Sequence, residues 1–162
     1  TGYISRDLYR LRNNNSNAKD FYMIGAMGHS QMVSYGVANF SKKKVICLDG
    51  DGSLLMHLGS SPLLGNYPKK NLKYILLNNE SHESVGGQKC LSEKINFKSL
   101  SSSFGFKRYL IINKYSEIEK KITNFLKAKS NIFLEVKLNK FGYDKLPRIK
   151  NLNKIKNNFM KS

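Results

Sequence analysis

Two short segments carry the groups that a divalent cation holding a diphosphate would need: Gly50-Asp51-Gly52-Ser53 and Asn78-Asn79. Asp51 offers a hard anionic oxygen and Asn79 a neutral one, the donor types that suit Mg2+. The flanking glycines let backbone N–H groups approach phosphate oxygens closely. Ser53 and Asn78 are 25 positions apart, and that distance has a structural reading. Residues 45–48 read as a buried strand, 54–64 as a helix and 74–77 as the next strand. In a right-handed βαβ unit the two strands are parallel, so both segments emerge side by side at the carboxyl edge of a sheet. A lone Gly-Asp-Gly marks ordinary turns; the Asn pair at this distance, with apolar runs on both sides, gives it its meaning.

The elements around that unit alternate. Residues 1–11 read as an opening helix and 13–17 as a polar loop. Residues 21–24 lead into a glycine-rich turn, Gly25-Ala26-Met27-Gly28-His29, followed by a helix over 30–39 with Met32, Val33, Gly36 and Val37 in helical register. Beyond Asn79 come a polar, glycine-bearing loop at 80–90, a helix at 97–104 and a strand at 109–112. Ser116 then reads as the N-cap of a helix with Glu117 and Glu119 at its favourable end and Lys127 near the other. A last strand spans 132–138, and the basic tail after it is weakly structured or docks elsewhere. This pattern predicts an α/β domain with an open, mainly parallel sheet and helices on both faces. It is one domain over 1–162, with its core at about 1–138 and a basic tail at 139–162.

With 162 residues and 40% apolar content the chain can bury one core. No run of about 18 apolar residues and no signal-peptide pattern is present, which argues against a membrane span or secretion. Cys47 in an apolar strand and Cys90 in a polar loop lack metal-site spacing and read as free thiols of a cytoplasmic protein. Thr1 in place of Met reads as the start of a fragment or excised domain. The formal charge of +17 raises the question of nucleic acid. The lysines are scattered among abundant asparagines, however, and no nucleic-acid motif accompanies them. They read as solvated faces that favour an anionic cofactor and substrate.

Taken together, Thr1-Gly2-Tyr3-Ile4-Ser5-Arg6, Gly25-Ala26-Met27-Gly28-His29, Leu48-Asp49-Gly50-Asp51-Gly52-Ser53-Leu54-Leu55-Met56-His57 and Asn78-Asn79-Glu80-Ser81-His82-Glu83-Ser84-Val85-Gly86-Gly87-Gln88 resemble the carboxyl-terminal half of the phosphonopyruvate decarboxylases. These are thiamine-diphosphate enzymes. Sulfopyruvate decarboxylases, in which the corresponding half is a separate beta subunit, are close relatives. The resemblance covers about 1–138 and returns faintly at Pro147-Arg148 and Phe159-Met160. The segment His82-Glu83-Ser84-Val85-Gly86-Gly87-Gln88 discriminates most, because the metal motif is shared by many decarboxylases and synthases. The 13–17 loop and the Lys/Asn-rich tail depart from the family.

The resemblance implies that Asp51, the side-chain oxygen of Asn79 and the backbone carbonyl of Ser81 coordinate Mg2+, which bridges the diphosphate. It places Gly50, Gly52 and Ser53 against phosphate oxygens, Met27 under the folded cofactor, and Gly25 and Met56 along the pyrimidine; both methionines could equally be core fillers. His82 and Gln88 become candidates for binding the substrate anion, and His82 and His29 for moving a proton. His29 could instead cap its helix, and His57 reads as structural. The glutamate that activates the cofactor belongs, in the family, to a pyrimidine-binding domain or subunit that precedes this one, so Glu80 and Glu83 are not assigned that role. The implied activity is decarboxylation of a small anionic 2-oxo acid, phosphonopyruvate to phosphonoacetaldehyde, in phosphonate biosynthesis, at a site between subunits of an oligomer. A non-catalytic remnant and a basic nucleic-acid-binding module are the other readings.

Overall fold

The computed structural model describes residues 1–12, 19–139, 146 and 148–161. The 13–17 loop, Pro147 and part of the 139–162 tail therefore lie outside the described residues. Period-two alternation builds the sheet. Along β2 (Leu72–Asn78), Tyr74 and Leu76 enter one apolar cluster while Ile75 and Leu77 enter the other. β2 pairs in parallel with β1 (Val45–Gly50) and β6 (Ile132–Lys137), and β6 with β5 (Arg108–Ile112), giving the order β1-β2-β6-β5. The expected parallel sheet is present.

Helices cover both faces. On one face, Met32 and Tyr35 of α2 (Ser30–Phe40), Leu54 of α3 (Asp51–Met56), Leu64 of α4 (Ser61–Asn66) and Phe97 of α5 (Phe97–Ser103) surround Phe133 and Leu76. Phe133 is the hub, with the rings of Tyr74 and Phe106 both 5.2 Å away. On the other face, Ile122, Phe125 and Leu126 of α6 (Ile118–Lys127) pack on Ile75, Ile112 and Leu134. The first helix, α1 (Gly2–Arg12), lies against β1. Among the described residues no helix is long and apolar enough to cross a membrane.

Several expectations are corrected. The single helix expected at 54–64 is two helices, α3 and α4, joined by a 3-10 turn at Leu58–Ser60. Pro62 lies in the first turn of α4, where its missing N–H costs nothing, whereas deeper in a helix it would break the ladder. Gln31 reinforces the break by accepting from the hydroxyls of Ser60 (2.7 Å) and Ser61 (3.0 Å). His57 is consequently not inside a helix but caps the end of α3. Ser116 is not an N-cap: a 3-10 turn at Tyr115–Glu117 precedes α6, and Glu117 holds the cap position while its side chain accepts from Lys121 at 3.0 Å. The 80–90 loop contains a small antiparallel ribbon, β3 (Ser81–His82) with β4 (Gln88–Lys89). Its Cys90 is buried, because the Cys90 amide donates to the Glu80 carbonyl and draws the segment inward. The tail forms α7 (Leu152–Met160) and docks on the amino-terminal region. Arg6 donates to the Leu146 carbonyl, and the rings of Phe21 and Phe159 are 5.3 Å apart.

Candidate cofactor and metal site

The carboxyl ends of β1 and β2 are adjacent, with Gly50 opposite Leu77. Asp51 therefore starts α3 beside Asn78 and Asn79, as the spacing predicted. A cavity of about 320 Å³ opens at this edge. Its walls include Asp51, Gly52, Ser53, Asn79, Ser81 and His82, together with Met27 from the glycine-rich turn and Tyr3 and Asp7 from α1.

Each polar group at this edge has a structural reason for its position. Asp51 is 2% exposed, and its Oδ2 accepts from the hydroxyl of Ser92 at 2.5 Å. A buried carboxylate needs such a donor. Ser53 Oγ accepts from the Gly28 amide at 2.8 Å, which ties the Gly25–His29 turn to the aspartate motif and brings Met27 into the cavity wall. Gly52 is required by contact: a Cβ there would come within 2.5 Å of His82 Cε1 and 2.6 Å of Nδ1. The His82 ring thus lies directly over the Gly-Asp-Gly backbone. Asn79 Oδ1 accepts from the Ser81 amide at 3.2 Å, which turns the Asn79 side chain toward its own downstream backbone.

Asp49 lies under this rim, fully buried. It accepts from the Gly50 amide (3.1 Å) and from the Tyr74 hydroxyl (3.2 Å). Burial first, and then the Asp49 charge, push the Tyr74 hydroxyl well above its ordinary range, so Tyr74 stays a donor to Asp49. The same two causes push the Cys47 thiol up to about 12.

The remaining candidates lie outside the cavity wall. Met56 is 54% exposed. Gly25, with a positive φ of 78°, does not line the cavity. His29 is exposed and its ring is 4.2 Å from that of His57. Gln88 is exposed on β4 opposite His82. The geometry therefore brings together Met27, Gly50, Asp51, Gly52, Ser53, Asn79, Ser81 and His82, but not Gly25, His29, Met56 or Gln88.

Asp49, Ser92 and Tyr3 have a part here that the sequence analysis did not assign to them. For Asp49 a signal existed, since it is a charge set in an apolar strand run and so marks a buried, partnered group. Tyr3 stood only within the resembling amino-terminal segment, and for Ser92 nothing in the local sequence pointed to the cavity.

The donor set fits a diphosphate-bound cation better than a free one. Among the described residues no group of three or more His, Cys, Asp or Glu side chains is placed to hold a metal. A carboxylate, an amide oxygen and a carbonyl would leave further positions for phosphate oxygens and water, a division typical of Mg2+. Asp51, Asn79 and Ser81 would hold the ion.

Comparisons with known proteins bear on the family and the fold. Residues 1–136 match the family described as "Thiamine pyrophosphate enzyme, C-terminal TPP binding domain". A phosphonopyruvate decarboxylase from Streptomyces viridochromogenes is 39% identical over 107 residues, covering 66% of this chain and 26% of that protein. The sulfopyruvate decarboxylase subunit beta of Methanothermobacter thermautotrophicus is 34% identical over 105 residues, covering 65% of this chain and 55% of the subunit. The chain thus spans about a quarter of the first relative and about half of the second. In fold it is similar to a crystal structure from Mycobacterium smegmatis described as a thiamin diphosphate-dependent enzyme, with a TM-score of 0.51, 19% identity, and coverage of 65% of this chain and 20% of that one.

Proposed function

Because the chain belongs to the thiamine pyrophosphate enzymes through their C-terminal TPP-binding domain, we propose that it is the diphosphate-holding part of a 2-oxo acid decarboxylase acting on phosphonopyruvate. Carbon dioxide and phosphonoacetaldehyde would be the products, in phosphonate biosynthesis. The observation that carries the reading is the meeting of Asp51, Asn79 and Ser81 at one cavity edge with His82 over Gly52. The similarity to phosphonopyruvate decarboxylases supports the substrate. The greater share of the sulfopyruvate decarboxylase beta subunits that the chain spans favours a second reading, a beta-type subunit acting on sulfopyruvate.

When bound, the cofactor supplies the electron sink for loss of carbon dioxide. This chain's residues do the holding. Asp51 supplies the anionic ligand to Mg2+, and Asn79 Oδ1 and the Ser81 carbonyl supply neutral ones. Ser53, its oxygen already accepting from Gly28, keeps its own proton to donate to a phosphate oxygen, and Gly50 and Gly52 admit the phosphates to the backbone. Met27 props the cofactor from the cavity wall. His82, on the ribbon beside the metal turn, faces the substrate anion or carries its proton. Gly25, Met56, His29 and Gln88 reach the cofactor or substrate only where a partner completes the pocket. That partner is a pyrimidine-binding domain or subunit bearing the activating glutamate, and the completed site lies between subunits. The two buried, unpaired thiols suit a cytoplasmic setting.

The test is calorimetry of thiamine diphosphate binding with and without Mg2+, on the chain and on Asp51→Ala. Binding should require the cation and vanish in the variant, whose diphosphate lacks its counter-charge. Unchanged affinity in Asp51→Ala would remove the metal assignment. Adding the amino-terminal half of a relative, fused or in trans, should then yield carbon dioxide release from phosphonopyruvate that the chain alone does not give.

A further inference from the structure

Glu135 has no place in the mechanism above, yet it is a carboxylate only 2% exposed in the middle of the sheet. Its Oε1 accepts from Asn78 Nδ2 at 2.7 Å and its Oε2 from the Tyr109 hydroxyl at 2.5 Å. The Lys137 ammonium lies 3.4 Å from Oε1 and donates to Glu80 Oε1 at 2.9 Å. Asn78, fully buried, uses its other end locally, with Oδ1 accepting from the Glu80 amide at 3.2 Å.

We infer that Glu135 is a positioning residue that, through Asn78, fixes the Asn79-Glu80-Ser81 turn on which the neutral cation ligands are carried. The inference rests on the proposed function for what the turn does, but not for how it is held. A carboxylate accepts only, so the Asn78 amide must direct its NH2 toward Glu135. That leaves Oδ1 for the Glu80 N–H. The reversed amide would oppose two acceptors at one end and two donors at the other. The turn needs this hold because Glu80 has a φ of 57°, the left-handed region that residues other than glycine rarely occupy. Register completes the clamp. Asn78 pairs with Lys137 across the β2–β6 ladder, so Glu135 and Lys137, two apart on β6, grip Asn78 and Glu80, two apart where β2 ends.

Glu135→Gln tests the hold with little change of volume. The amide it introduces can donate to Asn78 and let it turn over. In the full chain, two measurements are read against Phe125→Leu, a core change on the opposite face, at matched loss of melting temperature. Magnesium-dependent thiamine diphosphate affinity should fall at least about tenfold in Glu135→Gln, the scale for residues behind a metal ligand, and stay unchanged in Phe125→Leu. Hydrogen exchange of the Glu80 amide, measured without cofactor, should speed up in Glu135→Gln alone. Asn78→Ala on the Glu135→Gln background should add little to either effect. Should Glu135→Gln not fold, Tyr109→Phe, which releases only Oε2, is expected to move both measurements in the same direction. Wild-type affinity and exchange in the folded variants, or losses that simply add, would overturn the inference. Absence of any cofactor binding by the wild-type chain would remove the functional reading, and the exchange comparison would still decide whether Glu135 holds the turn.

Discussion

Ser92 Oγ donates to Asp51 Oδ2 at 2.5 Å across 41 residues of sequence, with both side chains buried, and this bond reserves one carboxylate oxygen for the fold while leaving the other for the cavity. In Ser92→Ala the carboxylate loses that donor, at a cost of about 1–3 kcal/mol. For a chain of this length each kcal/mol lowers the melting temperature by about 2–4 °C. The variant should therefore melt several degrees lower without ligand. With saturating Mg2+ and thiamine diphosphate the gap should narrow, since a cation on Asp51 supplies the missing counter-charge. Melting curves of both chains in both conditions check this. A gap of constant size would mean that Asp51 does not meet the cation.

A second expectation follows from the His82 ring over Gly52. Gly52→Ala places a methyl where the ring now lies, and overpacking of this kind costs about 1–3 kcal/mol. It should also weaken cofactor binding by displacing the rim. Removing the ring should relieve the clash, so Gly52→Ala with His82→Ala should be about as stable as His82→Ala alone. Denaturant titration of the four chains gives the coupling. Simple addition of the two losses would show that the ring and the glycine are not in contact.

The parallel sheet and the side-by-side placement of Asp51 and Asn79 were legible because both follow from local pattern. Val45–Gly50 and Leu72–Asn78 are apolar runs of strand length, and only a right-handed crossover joins two such parallel strands. Helix breaks were less legible. Residues 54–64 keep a helical apolar rhythm through Leu54, Leu58 and Leu64, and the rhythm hides the stop that Pro62 and the Gln31 hydrogen bonds impose. The α7 helix was obscured by its many lysines and asparagines, its order coming from contacts with distant partners such as Phe21. For the same reason Ser92 was invisible, since nothing near position 92 refers to position 51. Met56 and Gln88 illustrate the opposite case. The family resemblance carries Met56 to the pyrimidine and Gln88 to the substrate anion, while this chain leaves both exposed.

Alkaline pH should expose the cost of ionising Cys47. Burial, and then the Asp49 charge, push this thiol from an ordinary 9.0 up to about 12. Its pKa is raised on folding, so its contribution to stability is fully present below about pH 9 and is lost as the pH rises toward 12. Within that window the unfolded chain has released the proton and the folded chain has kept it, and each pH unit can cost up to about 1.4 kcal/mol. Cys47→Ala removes this group, so the stability of the variant should decline less steeply between pH 9 and 12 than that of the wild type. Equal slopes in urea titrations at several pH values would mean that the thiol ionises as readily folded as unfolded.

The role of His82 separates into two chemistries that one set of rates can distinguish. The residue lines the cavity on the ribbon that leaves the metal turn, and it is proposed either to bind the substrate anion or to move a proton. In the enzyme completed with its amino-terminal half, His82→Ala should lower turnover of phosphonopyruvate at least about tenfold, the scale of a lost charge-assisted hydrogen bond. Thiamine diphosphate affinity should barely change, because the proposed holders of the magnesium-bound diphosphate are Asp51, Asn79 and the Ser81 carbonyl. Loss of an anion contact would remove the preference for phosphonopyruvate and sulfopyruvate over pyruvate, whereas loss of a proton carrier would slow all three alike. Unaltered rates on all three substrates would make His82 only the ring that covers Gly52, and would move the search for the substrate contact to the partner's side of the cavity.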